Sequence, residues 1–153
     1  MKARMDATDH PSLRHIHLAE RIARTGIDEA MVERLVRGFY DRVRTDPLLG
    51  PIFAARVDEW EPHLRTLMDF WSSVALQTAR YAGRPMPVHV RLDVGPEHFG
   101  RWLELFRTTA AEVCTPEAAV FFVGKAEQIA RSFQMGIDAH RSVMRPSGIP
   151  AAR

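Results

Sequence analysis

The sequence predicts an all-α fold, and three observations lead to that expectation. The four longest regular segments of the chain all repeat their apolar residues with the period of an α-helix, about 3.6 residues. The segments between them are punctuated by proline and glycine, which end helices. The length of 153 residues, with 46% hydrophobic and 26% charged residues, suits one globular domain with a substantial core.

The first predicted helix begins after Asp28, whose carboxylate can cap it, while Ile27 and Val32 can form a hydrophobic staple across its start. Its predicted inner face consists of Met31, Val32, Leu35, Val36, Phe39, Tyr40 and Val43. Pro47 and Pro51 follow with a glycine between them, so we expect the helix to end there in a tight connector.

The second predicted helix begins near DEWEP (residues 58–62), because Pro62 is tolerated in the first turn of a helix. Its predicted inner face consists of Trp60, His63, Leu64, Leu67, Phe70, Trp71, Val74 and Ala75. We expect this helix to continue to about Tyr81, shortly before a connector, GRPMP, that holds two prolines.

The last two predicted helices each begin at a proline. Pro96 starts the third, and Thr115 can cap the fourth with Pro116 at its first position. The third helix is predicted to bury Phe99, Trp102, Leu103, Phe106, Ala110 and Val113. The fourth is predicted to bury Ala119, Phe122, Val123, Ala126, Ile129, Ala130 and Phe133.

These helices place the predicted domain at residues 25–144. Residues 1–24 are expected to form a partly flexible extension, in which LRHIHLAERIAR can add one or two amphipathic turns. The tail, residues 145–153, contains two prolines and no periodicity, so we expect it to be flexible.

Composition and charge exclude several classes of protein. The longest apolar run, AAVFFV, is far shorter than the about 20 residues of a membrane span. The first residues lack the apolar core of a signal peptide, so we expect a cytoplasmic protein. The net charge is +2 with arginines and acids interspersed, which argues against nucleic-acid binding. A single cysteine, Cys114, excludes an intrachain disulfide and a cysteine-rich zinc site.

Four polar side chains require a common explanation. Tyr40, His63 and Trp102 lie on helix faces that should be core, and His89 follows two prolines in an irregular connector. Each of them alone could be a hydrogen-bonded filler of the core. Together they need a large polar partner, because buried polar groups are hydrogen-bonded. A haem would be such a partner, with one histidine binding iron and polar groups facing a bound ligand.

The same residues belong to a set of motifs that resembles the group III truncated haemoglobins over residues 27–140. The motifs, in order, are FYDRVRTDPLLGPIF (39–53), W..H (60–63), FW (70–71), G.P...H (83–89) and HFGRWLELF (98–106). The glycine pairs that mark groups I and II are missing, which favours group III. The resemblance implies a shortened globin fold, a two-on-two helical sandwich around haem b.

The resemblance also implies a role for individual residues. His89 matches the proximal ligand of the haem iron, and Tyr40 matches the tyrosine that donates a hydrogen bond to bound dioxygen. His63 matches the histidine of the distal helix, and Trp102 matches the pocket tryptophan of groups II and III.

Further residues would hold the cofactor if the resemblance is correct. Arg84 and Arg91 could pair with the haem propionates by charge. The apolar wall would consist of Phe39, Phe53, Phe70, Trp71 and Phe99.

Three functions fit this pattern. The first is a haem protein that binds dioxygen, carbon monoxide or nitric oxide and carries out nitric oxide dioxygenase-like or peroxidase-like chemistry, served by an unidentified reductase. The second is a dioxygen store, transporter or sensor without turnover. The third is a haem-free helical interaction module in which the histidines and tyrosine are structural.

Overall fold

The protein is described by a computed structural model over residues 12–83 and 94–143, and every regular element in these two segments is an α-helix. The helices are α1 (Leu13–Thr25), α2 (Glu29–Thr45), α3 (Gly50–Arg56), α4 (Trp60–Leu76), α5 (Pro96–Val113) and α6 (Pro116–Val143). None of these described helices is both long and apolar enough to cross a membrane. The prediction of an all-α fold is confirmed.

Helix α2 lies at the centre of the fold. Its start is as predicted, because the Asp28 side chain accepts a hydrogen bond from the Met31 N–H at 2.8 Å. All seven residues of its predicted inner face are buried. This wide apolar stripe explains why α2 packs against three other helices, α3, α4 and α5.

The helices pack in pairs around an aromatic core. Helix α2 packs on α4, and α5 packs on both α6 and α2, as expected for a two-on-two sandwich. The ring of Phe106 lies 5.2 Å from Phe39, 5.3 Å from Trp71 and 5.6 Å from Trp102, measured between centroids. Trp71 in turn contacts Phe122 of α6 at 5.8 Å. One aromatic cluster therefore joins α2, α4, α5 and α6.

The segment after α2 is not the simple connector that its prolines and glycine predicted. Residues Gly50–Arg56 form helix α3, in which Pro51 occupies the first turn and needs no N–H partner. A Cβ atom at Gly50 would lie 2.8 Å from the backbone oxygen of Arg44, so only glycine fits this close approach. The prediction was wrong here because a proline can begin a helix as well as end one.

Helix α4 ends at Leu76, several residues before the predicted end at Tyr81. Gln77 adopts a left-handed conformation (φ 54°, ψ 37°), which stops the helix, and its N–H still bonds to the Ser73 carbonyl. The Ser73 hydroxyl then accepts a hydrogen bond from the Tyr81 N–H at 2.9 Å. The chain therefore turns back after α4, and Tyr81 lies beside Ser73 of that helix.

Helix α1 is longer than the one or two turns expected of this segment. It spans 13 residues and ends at Gly26, whose φ of 70° is left-handed. The Arg21 guanidinium donates to the Ala75 carbonyl at 2.9 Å, and the Thr115 hydroxyl donates to the Thr25 carbonyl at 2.6 Å. These two bonds fasten α1 to the end of α4 and to the start of α6.

Candidate functional site

A cavity of about 300 Å³ lies between α2, α3, α4, α5 and α6, at the lower end of the size range of ligand pockets. Most of its lining is apolar: Leu49, Ile52, Phe53, Leu67, Phe70, Trp71, Val94, Phe99, Ile129, Ala130 and Phe133. The remaining lining residues carry polar atoms and are Tyr40, His63, Thr66, Tyr81, His98 and Trp102. Such a cavity suits a large apolar ligand that meets a few directed polar groups.

Tyr40, His63 and Trp102, predicted from three separate helices, all line this one cavity. The rings of Tyr40 and His63 are perpendicular, with centroids 5.8 Å apart. The Trp102 side chain acts as a hydrogen-bond partner of the Tyr40 hydroxyl and lowers the pKa of that phenol. An indole N–H can only donate, so Tyr40 accepts this bond and keeps its own O–H as a donor. We refer to these two residues as the Tyr40–Trp102 donor pair.

The phenol of Tyr40 is only 6% exposed, and this burial controls its protonation. Burial raises the pKa of Tyr40 well above its ordinary value, and the hydrogen bond from Trp102 offsets only part of that rise. Tyr40 therefore stays neutral, and remains a hydrogen-bond donor, at every physiological pH.

His63 is held between two aromatic rings near the start of α4. Its ring lies 5.7 Å from Trp60 and almost perpendicular to it, in addition to its contact with Tyr40. The Nε2 atom of His63 is fully buried. The guanidinium of Arg44 lies 4.5 Å from the centroid of Trp60 and covers that ring from outside. Arg44, Trp60 and His63 thus form a chain of contacts in which only His63 lines the cavity.

The predicted apolar wall is mostly found at the cavity. Phe53, Phe70, Trp71 and Phe99 line it, whereas Phe39 does not. Phe39 lies behind the donor pair, with its ring centroid 4.8 Å from Tyr40 and 5.4 Å from Trp102, so it supports the wall from the core side. The predicted residues His89, Arg84 and Arg91 lie outside the described residues.

Three polar residues of the cavity were not predicted from sequence: Thr66, Tyr81 and His98. His98 Nδ1 accepts a hydrogen bond from the Gly95 N–H at 2.9 Å, so a neutral ring carries its proton on Nε2. His98 is the first residue of the motif HFGRWLELF, so the motif could have identified it. Tyr81 packs perpendicular to Phe70 at 5.3 Å, but it follows the end of α4 and gave no periodic signal.

The lining fits a haem in its chemistry. Aromatic and aliphatic side chains from five helices can contact the faces and edges of a porphyrin. The donor pair and His63 provide hydrogen-bonding groups at one wall, where a small ligand of the iron could be held. Tyr81 and Val94, which lie on either side of the predicted connector 83–93 in sequence, both line the cavity.

The sequence of this chain was compared with those of known protein families. The model of the bacterial-like globin family matches residues 23–130. A group 3 truncated haemoglobin of Campylobacter jejuni is 32% identical over 113 residues, which are 71% of this chain and 89% of that protein. This chain belongs to the group III truncated haemoglobins. Membership of the globin family indicates haem-based binding of small gaseous ligands.

Solved structures confirm that this truncated haemoglobin has the truncated globin fold. The crystal structure of the group III truncated haemoglobin from C. jejuni matches with a TM-score of 0.68 at 33% identity, covering 72% of this chain and 91% of that one. A tryptophan-to-leucine variant of the group II truncated haemoglobin from Bacillus anthracis matches with a TM-score of 0.63 at 21% identity, covering 74% and 88%. This second likeness concerns the fold alone.

Proposed function

We propose that this truncated haemoglobin binds haem b, holds dioxygen by the hydrogen bond that the Tyr40 hydroxyl of the Tyr40–Trp102 donor pair can donate, and promotes oxidation of nitric oxide by the bound dioxygen or, with electrons from a reductase, reduction of peroxide. The observation that carries the proposal is the convergence of Tyr40, His63 and Trp102, from three helices, on one mostly apolar cavity. When bound, haem supplies the iron that binds and activates a diatomic ligand.

The residues of the donor pair act by holding a proton in a fixed place. Trp102 donates to the Tyr40 oxygen, so the Tyr40 O–H is the group left to donate to a ligand. Bound dioxygen carries partial negative charge, and a hydrogen bond to a charged acceptor is stronger than one between neutral groups. The Tyr40 side chain is only 6% exposed, so few water molecules can compete for this donor.

His89 is the residue we propose as the proximal ligand of the iron. It lies between Tyr81 and Val94 in sequence, and both of these residues line the cavity. The prolines that precede His89 restrict the backbone of the connector. We also propose that Arg84 and Arg91 pair with the haem propionates.

The proposed reaction needs a reductant as well as the two ligands. Dioxygen and nitric oxide combine with one electron to give nitrate (O₂ + NO + e⁻ → NO₃⁻), so each turnover consumes one electron. We propose that a cytoplasmic reductase supplies that electron. A dioxygen store, transporter or sensor would need no such partner, and this requirement separates the two functions.

The first test is the fate of dioxygen in the purified protein. A strong Soret band is expected, because only a haem complex absorbs in this way, and a haem-free interaction module would lack it. The dioxygen complex mixed with nitric oxide is expected to give one nitrate per haem, and to turn over repeatedly when a one-electron reductant is added. Release of intact dioxygen without nitrate would instead favour a store or sensor.

Replacing His63 with alanine is expected to accelerate carbon monoxide binding severalfold, because the His63 ring lines the cavity and its contact with Trp60 holds it there. Flash photolysis of both proteins measures the association rate. Thr66→Ala is the matched control, since Thr66 also lines the cavity and lies on the same helix. Equal rates in wild type and His63→Ala would mean that ligands reach the haem by another route.

A further inference from the structure

We propose that Asp46 and Arg101 are positioning residues that fix the Tyr40–Trp102 donor pair against the wall formed by α3. Asp46 follows the last residue of α2, and Arg101 precedes Trp102 on α5. Their ion pair, with Arg101 Nε 2.7 Å from Asp46 Oδ1, therefore connects the helix of Tyr40 to the helix of Trp102.

The Asp46 carboxylate is buried and uses both of its oxygens. Oδ1 accepts from Arg101, while Oδ2 accepts from the backbone N–H groups of Leu48 at 3.1 Å and Leu49 at 3.0 Å. Burial alone would raise the pKa of Asp46, but the Leu49 N–H, Arg101 and the Leu48 N–H together lower it. A buried carboxylate with every oxygen directed at a donor has one orientation, which suits it to set the position of its partners.

Both ends of this network lie at the cavity. Leu49 lines it and immediately precedes α3, which contributes Ile52 and Phe53 to the lining. Phe53 packs on the Tyr40 ring at 5.8 Å. At the other end, Trp102 is the next residue after Arg101 and donates to Tyr40. If the Asp46–Arg101 ion pair shifted, Tyr40 on α2 and Trp102 on α5 would therefore move relative to each other.

A second link between α2 and α5 provides a matched control. Arg42 donates to the Thr109 hydroxyl at 2.7 Å and also pairs with Glu112. Thr109 lies two turns beyond Trp102, about 10 Å along the helix axis, and it does not line the cavity. Arg42 and Arg101 thus join the same two helices, but only Arg101 does so beside the donor pair.

The test compares Asp46→Asn and Arg101→Gln with Arg42→Gln in the full-length protein. The first two variants are expected to raise the dioxygen dissociation rate about three- to tenfold. This factor corresponds to the loss of one hydrogen bond between neutral groups. They are also expected to speed solvent exchange of the Trp102 indole proton by a similar factor, measured by NMR on the diamagnetic carbon monoxide complex and assigned with Trp102→Phe. Arg42→Gln should leave both rates unchanged, although it lowers the urea midpoint.

The two readouts separate this inference from the proposed function. The dissociation rate rests on the proposed function, whereas indole exchange is measured on the carbon monoxide complex and needs no stable dioxygen complex. If indole exchange is faster in the Asp46 and Arg101 variants but the protein forms no dioxygen complex, the positioning role of Asp46 and Arg101 is supported and the proposed function is overturned. Unchanged indole exchange in both variants, or an equal change in Arg42→Gln, would overturn the pair. If Asp46→Asn fails to fold, Arg101→Gln decides, because Arg101 is partly exposed.

Discussion

A His89→Ala variant is expected to lose haem on purification, or to hold it with abnormal iron coordination. His89 matches the proximal ligand of the family to which the chain belongs, and its connector begins and ends beside residues that line the cavity. The largest change should be in haem stoichiometry, measured from the Soret absorbance per protein. Any haem that remains should lack the iron–histidine stretch in its Raman spectrum.

Two other histidines serve as controls for this experiment. His63 and His98 both line the cavity, and each could in principle reach the metal through a ring nitrogen. His63→Ala and His98→Ala are expected to retain one haem per chain and the iron–histidine stretch. A His89→Ala protein with normal stoichiometry and an unchanged stretch would falsify the assignment and direct attention to whichever control variant loses haem.

The second large effect is expected from Tyr40→Phe, which should raise the dioxygen dissociation rate about ten- to a hundredfold. A hydrogen bond to a partly charged acceptor contributes roughly 1.5 to 3 kcal/mol, and this range corresponds to that factor if it appears entirely in dissociation. Stopped-flow dissociation, run beside the reaction with nitric oxide, measures it. Phenylalanine keeps the ring that packs on Phe53, Trp60 and His63, so the loss is confined to the hydroxyl.

Trp102→Phe is expected to raise the same rate to a lesser or similar degree, and the two substitutions should not be additive. The Trp102 N–H acts on Tyr40 itself, so once the hydroxyl is removed the indole has lost its acceptor. A double-mutant cycle over Tyr40→Phe and Trp102→Phe measures this coupling. Additive effects would mean that each residue acts on the ligand separately. If the wild type releases dioxygen rapidly and neither substitution changes that rate, the proposed reaction of bound dioxygen with nitric oxide is contradicted.

The parts of the fold predicted correctly are those that local sequence determines. The cap at Asp28 and the seven buried residues of α2 follow from a side chain and a period within one helix. Helix α3 was not predicted, because Pro51, which begins it, also fits a connector, and because the close approach of Gly50 to the Arg44 carbonyl is visible only in the fold. The early end of α4 depends in the same way on the fold of the chain beyond it.

The same division applies to the cavity. Tyr40, His63 and Trp102 could be selected from sequence because each is a polar residue on an apolar helix face. The hydrogen bond from Trp102 to Tyr40 could not, since it depends on how α5 crosses α2. Tyr81 reaches the cavity only through the turn after α4, which has no periodic pattern. Tyr40, His63 and Trp102 on long helices were therefore identified, whereas Thr66, His98, contacts between elements and residues after helix ends were not.

The bond from indole to phenol has a consequence for discrimination between gases. A hydroxyl that accepts one hydrogen bond becomes a better donor for the next, because the two bonds polarise each other in a medium of low dielectric constant. Dioxygen draws electron density from iron and benefits from such a donor, whereas carbon monoxide stays nearly apolar and gains little. We therefore expect the Tyr40 hydroxyl to set much of the ratio of dioxygen to carbon monoxide affinity, and Trp102 to adjust that ratio through the hydroxyl.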